Sequence, residues 1–236
     1  MQHPFFYIAS YKAEKYLALD ENTGRHIVQV LRMKKGDIIH LTDGKGHLLT
    51  CQIAETGKKN CSVEVKEAVL QKEKTKRISI GISLLKNPSR FEWFLEKATE
   101  IGVAEIIPLI CERTEKEKFR LERLQNICIS AILQSRQYCL PKLNEPKSFH
   151  DAVMNANAET KFIAHCEDTN KNELKDLVNE ETKDSSSTII LIGPEGDFTN
   201  DEINFAIANN FKPVSLGDTR LRTETAGVVA AAWLVS

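Results

Sequence analysis

Two segments in the C-terminal third carry residues able to cradle a ligand and act on it. They are Gly193-Pro194-Glu195-Gly196-Asp197-Phe198 and Leu216-Gly217-Asp218-Thr219-Arg220-Leu221-Arg222-Thr223-Glu224. Each follows a short apolar run, Thr188–Ile192 and Pro213–Leu216, and so reads as the loop leaving the carboxyl end of a strand. A third such end is Ala164-His165-Cys166-Glu167, closing the strand expected over Lys161–His165. Ligands of open α/β sheets bind just beyond those ends. Gly193, Gly196 and Gly217 would let main-chain groups approach a ligand with no Cβ between. Ile192, Leu216 and Leu221 would close on the faces of a flat ring, and His165 adds a polar group.

The phosphate-binding patterns are missing. No GxxxxGK[ST] loop occurs, GPEG is not GxGxxG, and Pro194 lacks an N–H that a phosphate cradle would use. An apolar slot with few anion contacts suits S-adenosylmethionine better than ATP or NAD. Read alone, the same residues are also ordinary turn formers.

The elements that must position these loops fall into two regions. From residue 1 to 72 the signals are short and β-like. Strands are expected at Phe5–Ile8, Ile38–Leu41, His47–Ile53 and Cys61–Val69, with one short helix between Asn22 and Met33 and a turn at Asp43–Gly46. This predicts a small barrel or sheet over 1–72, joined by a polar linker at Gln71–Arg77 to an α/β domain over 73–236. Beyond the linker, strands alternate with helices, which predicts a mostly parallel sheet covered on both faces. Strands are expected at Ile78–Leu85 and Glu105–Ile110. Helices are expected from Ser89, with a Glu92 capping box, to Gly102; over Phe119–Tyr138, stopped by Pro141; near Ser148–Asn157; over Asn172–Asn179; from Thr199, with a Glu202 capping box, to Asn210; and over Glu224–Val235. Residues 184–187 read as a loop. Trp93 and Trp233 fall at core positions of their helices.

The chain of 236 residues is 42% hydrophobic and 28% charged, which fits a globular fold with a sizeable core. Its net charge of −1 excludes a non-specific nucleic-acid coat, yet residues 1–77 hold 14 Lys/Arg against 9 Asp/Glu. That excess fits either a polyanion-facing module or solvated lysines at strand edges. Six cysteines without a CxxC pair read as reduced thiols, consistent with a cytoplasmic location. No apolar run is long enough to span a membrane, no secretory signal is apparent, and no His/Cys/Asp/Glu cluster has metal-ligand spacing.

The whole chain resembles the SPOUT class of methyltransferases and, within it, the RsmE family that methylates uridine N3 in 16S ribosomal RNA. The resemblance rests on Phe5-Phe6, on His26–Arg32 followed by Gly36-Asp37, on Lys86 and Arg90, on Glu96–Val103, on Glu112-Arg113-Thr114, on Gln134-Ser135, and above all on GPEGDF and SLGDTRLRTETA. Two positions depart from the pattern: Asp197 stands where a second glycine is usual, and Leu133 where a polar residue is usual.

The resemblance implies a PUA-like RNA-binding β-barrel before a methyltransferase domain with a trefoil knot, in a homodimer with S-adenosylmethionine as cofactor. It implies small-subunit ribosomal RNA as partner, within the assembled subunit. For such a reaction Arg222 is the expected stabiliser of a uridine anion, with Glu195 and Glu224 as candidate bases. Expected RNA contacts are His26, Arg32, Lys34, Lys86, Arg90 and Gln134, with Lys35 beside them. Arg90 is equally suited to pair with Glu92 or Glu96, and Glu224 to favour a helix dipole. Ribose 2′-O methylation and a non-catalytic RNA-binding assembly role stay open.

Overall fold

A computed structural model describes residues 3–57, 60–71, 76–115, 118–167, 171–182 and 185–235. Residues 72–75 of the expected linker, and with them its boundary, lie outside that set, as does residue 184 of the expected loop. The chain forms two compact units, Met1–Glu73 with Ile132–Leu140, and Lys74–Ala131 with Pro141–Ser236.

The first unit is built on a five-stranded sheet. Its strands are β1 (Phe5–Tyr7), β2 (Tyr16–Ala18), β3 (Ile38–Thr42), β4 (His47–Thr56) and β5 (Cys61–Leu70), in the order β1-β3-β4-β5-β2. β1 pairs with β3 in parallel and the other pairs are antiparallel. Alternate residues Ile39 and Leu41, Leu49, Cys51 and Ile53, and Cys61 and Val63 point into one core, as the two-residue period of a strand requires. The short strand β2 carries no alternation strong enough to be seen in three residues.

The helix expected between 22 and 33 is shorter and changes character. α1 (Glu21–Arg25) is capped by Asp20, whose carboxylate accepts the N–H groups of Asn22 and Thr23 at 3.0 Å. It then widens into a π-helical turn over His26–Val30, closed by Leu31 N–H to the His26 carbonyl at 3.0 Å. Arg32 leaves that turn with φ 55°, a left-handed conformation uncommon outside glycine. Segment 132–140 completes this unit on the turn at Asp43–Gly46. Gly46 N–H donates to the Tyr138 carbonyl (2.8 Å) and Leu140 N–H to the Gly44 carbonyl (2.7 Å).

The second unit holds an eight-stranded sheet in which every pairing is parallel. In chain order its elements are β6 (Arg77–Ser83), α2 (Pro88–Ile101), β7 (Glu105–Ile110), α3 (Leu121–Ser135, whose last turn clusters with the first unit), β8 (Lys142–Leu143), β9 (Lys147–Ser148), α4 (Phe149–Met154), β10 (Thr160–Ala164), β11 (Asn172–Glu173), α5 (Leu174–Glu181), β12 (Ser187–Ile192), α6 (Asn200–Ala208), β13 (Lys212–Ser215) and α7 (Thr223–Val235). The sheet order is β11-β13-β10-β12-β6-β7-β8, with β9 also on β7. β6 and β12 are buried along almost their whole length, as strands covered on both faces must be.

Several boundaries move for local reasons. α2 starts one residue before the expected Ser89, because Asn87 is the cap and Pro88 occupies the first turn; Glu92 makes no box and instead binds Arg123. α2 ends as expected at Gly102, in the left-handed conformation at φ 98°. α3 stops at Ser135, with Arg136 at φ 56°, well before Pro141. The Thr199–Glu202 capping box is present in full. Trp93 is 43% exposed on α2, against its expected core placement.

α7 leaves the carboxyl end of β13 and packs on α2, α5, β6 and β12. Gly227 makes that approach possible: a Cβ there would stand 2.6 Å from the ring of Phe94, itself fully buried, and 2.9 Å from Ile82. Replacing a helical glycine by alanine ordinarily gains about 1 kcal/mol. Here the overlap outweighs that gain. Gly227→Ala is expected to lower stability by about 1–3 kcal/mol, read as a lower denaturation midpoint at unchanged m-value.

Candidate active site

Three loops named from the sequence meet because their strands are neighbours. β13 and β12 lie on either side of β10, all parallel, so the ends at Ser215, Ala164 and Ile192 open on one edge. The chain passes from β12 to β13 across β10, a reversal of strand order of the kind that leaves a crevice. The cleft there has a volume of about 590 Å³. His165, Ile192, Gly193, Glu195, Leu216, Gly217, Leu221 and Arg222 all line it.

Gly196 and Glu224 are not among the lining residues. Gly196 is instead the hold of Arg113 on the loop: its carbonyl accepts from Nη1 at 2.7 Å, and a Cβ would meet the Arg113 side chain at 3.3 Å. Gly193 lines the cleft, but the space a Cβ would need is taken by the Phe198 backbone N at 3.0 Å, so this glycine serves loop closure. Gly217 differs from both. With φ 106° and nothing within 4 Å of a Cβ, it answers to a backbone conformation.

Asp197, at the position where glycine is usual, takes φ 65°, a conformation that aspartate tolerates better than most residues. Its carboxylate accepts the Cys166 N–H at 2.7 Å and its own neighbour's, Phe198, at 2.8 Å. One side chain thus ties the β12 loop to the β10 loop. The carboxylate and burial both push the Cys166 thiol up, burial first, so this exposed cysteine is no activated nucleophile.

His165 is 6% exposed and its Nε2 has no partner among the described residues. Lys171 Nζ lies 3.4 Å from Nδ1 and donates to the carbonyls of His165 and Glu167 at 2.7 and 2.5 Å. An ammonium has only donors. Nδ1 therefore keeps its lone pair, and the proton sits on Nε2 as a buried donor. Burial, and then Lys171, hold the imidazole below its usual pKa.

The charged candidates separate by position. Arg222 is exposed at the cleft with no carboxylate partner among the described residues, while its carbonyl accepts the Ala226 N–H at 2.8 Å as α7 begins. Glu195 accepts the Lys86 N–H at 3.2 Å, and Lys86 Nζ pairs with Glu115 at 2.6 Å. Glu224, 7% exposed in the first turn of α7, has Oε1 3.7 Å from Arg90 Nε and no hydrogen-bond partner for Oε2 among the described residues. Arg90 thus faces Glu224 rather than Glu92 or Glu96. In the first unit His26, Arg32 and Lys34 are exposed along the π-helical turn and its exit; Gln134 is exposed in the last turn of α3.

The residues that sequence reasoning passed over are Asp197 as a tie, Arg113 as a clamp and Lys171 as the neighbour of His165. Two of them left a trace: Asp197 as a carboxylate in place of a glycine, and Arg113 within the Glu112-Arg113-Thr114 element.

Comparisons with known proteins agree on a family. An RNA methyltransferase domain model matches residues 72–235, and an RNA methyltransferase PUA domain model matches residues 19–66. The ribosomal RNA small subunit methyltransferase E of Rickettsia conorii is 30% identical over 236 residues, covering 98% of this chain and 95% of that protein. The chain belongs to the ribosomal RNA small subunit methyltransferase E family. Its members include one from Neisseria gonorrhoeae, solved bound to S-adenosyl methionine, with a TM-score of 0.85, 29% identity and coverage of 98% and 96% of the two chains. A probable rRNA-methyltransferase from Porphyromonas gingivalis superposes with a TM-score of 0.87 at 35% identity over 98% and 96%.

Two outcomes follow from the loop ties. Asp197→Ala loses the Cys166 bond and places a less tolerant residue at positive φ, lowering stability by about 1–3 kcal/mol in chemical denaturation. For His165 the native pKa lies below the ordinary 6.5, so the unfolded chain binds the proton first. Its contribution is complete above that value and is lost as pH falls toward the native pKa. Between pH 7 and 5 the stability of His165→Gln is expected to fall less steeply than that of the parent.

Proposed function

We propose that this chain transfers a methyl group from S-adenosylmethionine to N3 of a uridine in small-subunit ribosomal RNA. The observation that carries the reading is the convergence of three carboxyl-end loops, with exposed Arg222, on one cleft of about 590 Å³. That volume is within the ~300–1,000 Å³ usual for small-ligand sites. The lining suits the cofactor: apolar Ile192, Leu216 and Leu221, main chain at Gly193 and Gly217, and an unused buried donor on His165. Gly196 supports that loop from behind through Arg113. When bound, the cofactor supplies an electrophilic methyl on a sulfonium.

The chain's own residues handle the acceptor. Uridine N3–H is weakly acidic, so its proton must leave before the nitrogen can attack. Glu195 is the glutamate among the candidates that reaches the cleft, and it takes the proton; the Lys86 N–H orients it. Arg222, with no carboxylate partner among the described residues, stabilises the charge spread onto the uracil oxygens. Glu224 is a positioning residue for Arg90 rather than a base. His26, Arg32 and Lys34, with Lys86 and Arg90, contact the RNA backbone and fix register, and Gln134 hydrogen-bonds the base.

The quaternary and topological parts of the reading belong here too. A homodimer is supported by exposed Trp93 on α2, an apolar feature suited to a second copy. A trefoil knot is supported by the path of α7, which returns from β13 to β6 past β10 and β12. The reading needs no metal and places the work on ribosomal subunits in the cytoplasm. Among the described residues no helix is long and apolar enough to cross a membrane.

Purified protein, unmodified small subunits and S-adenosylmethionine are expected to yield N3-methyluridine in nucleoside mass spectrometry. Arg222→Ala is expected to lower kcat by about 10²–10³ with cofactor affinity within a few fold by calorimetry. Methylation on the sugar, or cofactor binding with no transfer at all, contradicts the proposal.

A further inference from the structure

A second cavity, of about 270 Å³, opens in the same unit beyond the carboxyl end of β6. Leu85, Phe91 and Leu124 form an apolar floor, each more than nine-tenths buried, and half-buried Phe119 makes a wall. The mouth is cationic. Lys118 and Arg120 line it with exposed side chains and have no carboxylate partner among the described residues. The third cation, Arg123, is already neutralised by Glu92 at 2.7 and 3.0 Å.

The cavity is below the ~300 Å³ at which small-molecule sites usually begin, too small for a second cofactor. The one carboxylate among its described lining residues, Glu92, is held by Arg123, which removes it as a cation ligand. An apolar slot with an aromatic wall and two free cations matches a single nucleotide, base inside and phosphate at the mouth. RNA is read in this way where unpaired bases are splayed onto aromatic side chains. The location is also apt. β6 pairs in parallel with β12, and Lys86 N–H, on the chain leaving β6, donates to Glu195 on the loop leaving β12. The two cavities therefore stand at neighbouring strand ends.

We propose that this cavity holds a nucleotide of the RNA substrate flanking the methylated one, its base against Phe119 and Leu85 and its phosphate on Lys118 and Arg120. The inference rests on the methyl-transfer reading for the neighbouring cleft. It makes this unit a reader of RNA in its own right, beside the PUA-matching unit.

The test is binding of the full-length protein, saturated with S-adenosylhomocysteine, to unmodified small-subunit ribosomal RNA at several salt concentrations. The charge reversal Lys118→Glu/Arg120→Glu is expected to weaken RNA binding at least tenfold. It should also lower the salt slope by about 0.7–1.4, the contribution of one or two phosphate contacts. Ser89→Tyr, at an exposed lining position, is expected to fill the slot and weaken binding with the slope unchanged. Both variants should bind S-adenosylhomocysteine within twofold of the parent, which also reports that they fold. Should the charge reversal damage that binding, Lys118→Ala/Arg120→Ala replaces it with an expected three- to tenfold loss. RNA affinity equal to the parent's in variants that bind S-adenosylhomocysteine overturns the proposal. So does a loss that tracks dissociation of a dimer in sedimentation, which would make the cavity a seat for a second copy. A parent protein that binds RNA but makes no N3-methyluridine overturns the reading of the neighbouring cleft and leaves this binding comparison to be decided on its own.

Discussion

Everything in the candidate site depends on the parallel ladder β13-β10-β12. Backbone hydrogen bonding fixes the three strand ends side by side, because parallel strands all present their carboxyl ends at one edge. No single loop has enough contacts to make a cleft. Adjacent, they supply apolar walls, a buried imidazole donor and a free guanidinium within one cavity. The Asp197 carboxylate then locks two of the loops to each other, and Arg113 braces one of them from outside.

The polar groups sort by whether they have been used up. Glu92, Glu105 and Glu115 are spent on ion pairs with Arg123, Lys142 and Lys86. Among the described residues Arg222 and the His165 Nε2 are not, and both residues line the cleft. Leaving a buried donor unmatched costs about 1–3 kcal/mol. Such a cost is met where a ligand provides the missing acceptor. Position rather than pairing separates the two glutamates: Glu195 lines the cleft, whereas Glu224 is turned toward Arg90.

Much of this was legible beforehand. The α/β class, the strand ends and the Thr199 cap follow from apolar runs and local capping chemistry, which act over a few residues. What could not be read depends on tertiary contacts and backbone geometry that residue patterns do not encode. The neighbourhood of Lys171 and His165 spans an otherwise polar stretch, and the docking of 138–140 on the Asp43–Gly46 turn joins residues almost a hundred apart. The π-helical turn at His26–Val30 has the residue pattern of an ordinary helix, and its extra residue shows only in the hydrogen bonds. Trp93 sits on an amphipathic helix, yet periodicity does not tell a core face from one left exposed. The sequence marks Gly193 and Gly196 for close approach to a ligand, whereas in the structure both are packed against protein atoms. Their constraint is internal packing, which a list of glycines cannot distinguish from ligand approach.

The central claim is methyl transfer to a uridine base in small-subunit ribosomal RNA. The most direct measurement is nucleoside mass spectrometry of that RNA from cells with and without the gene for this protein. The account predicts one N3-methyluridine that disappears with the gene and returns with the intact gene but not with the Arg222→Ala form. Small-subunit RNA whose base methylation is identical with and without the gene would contradict it.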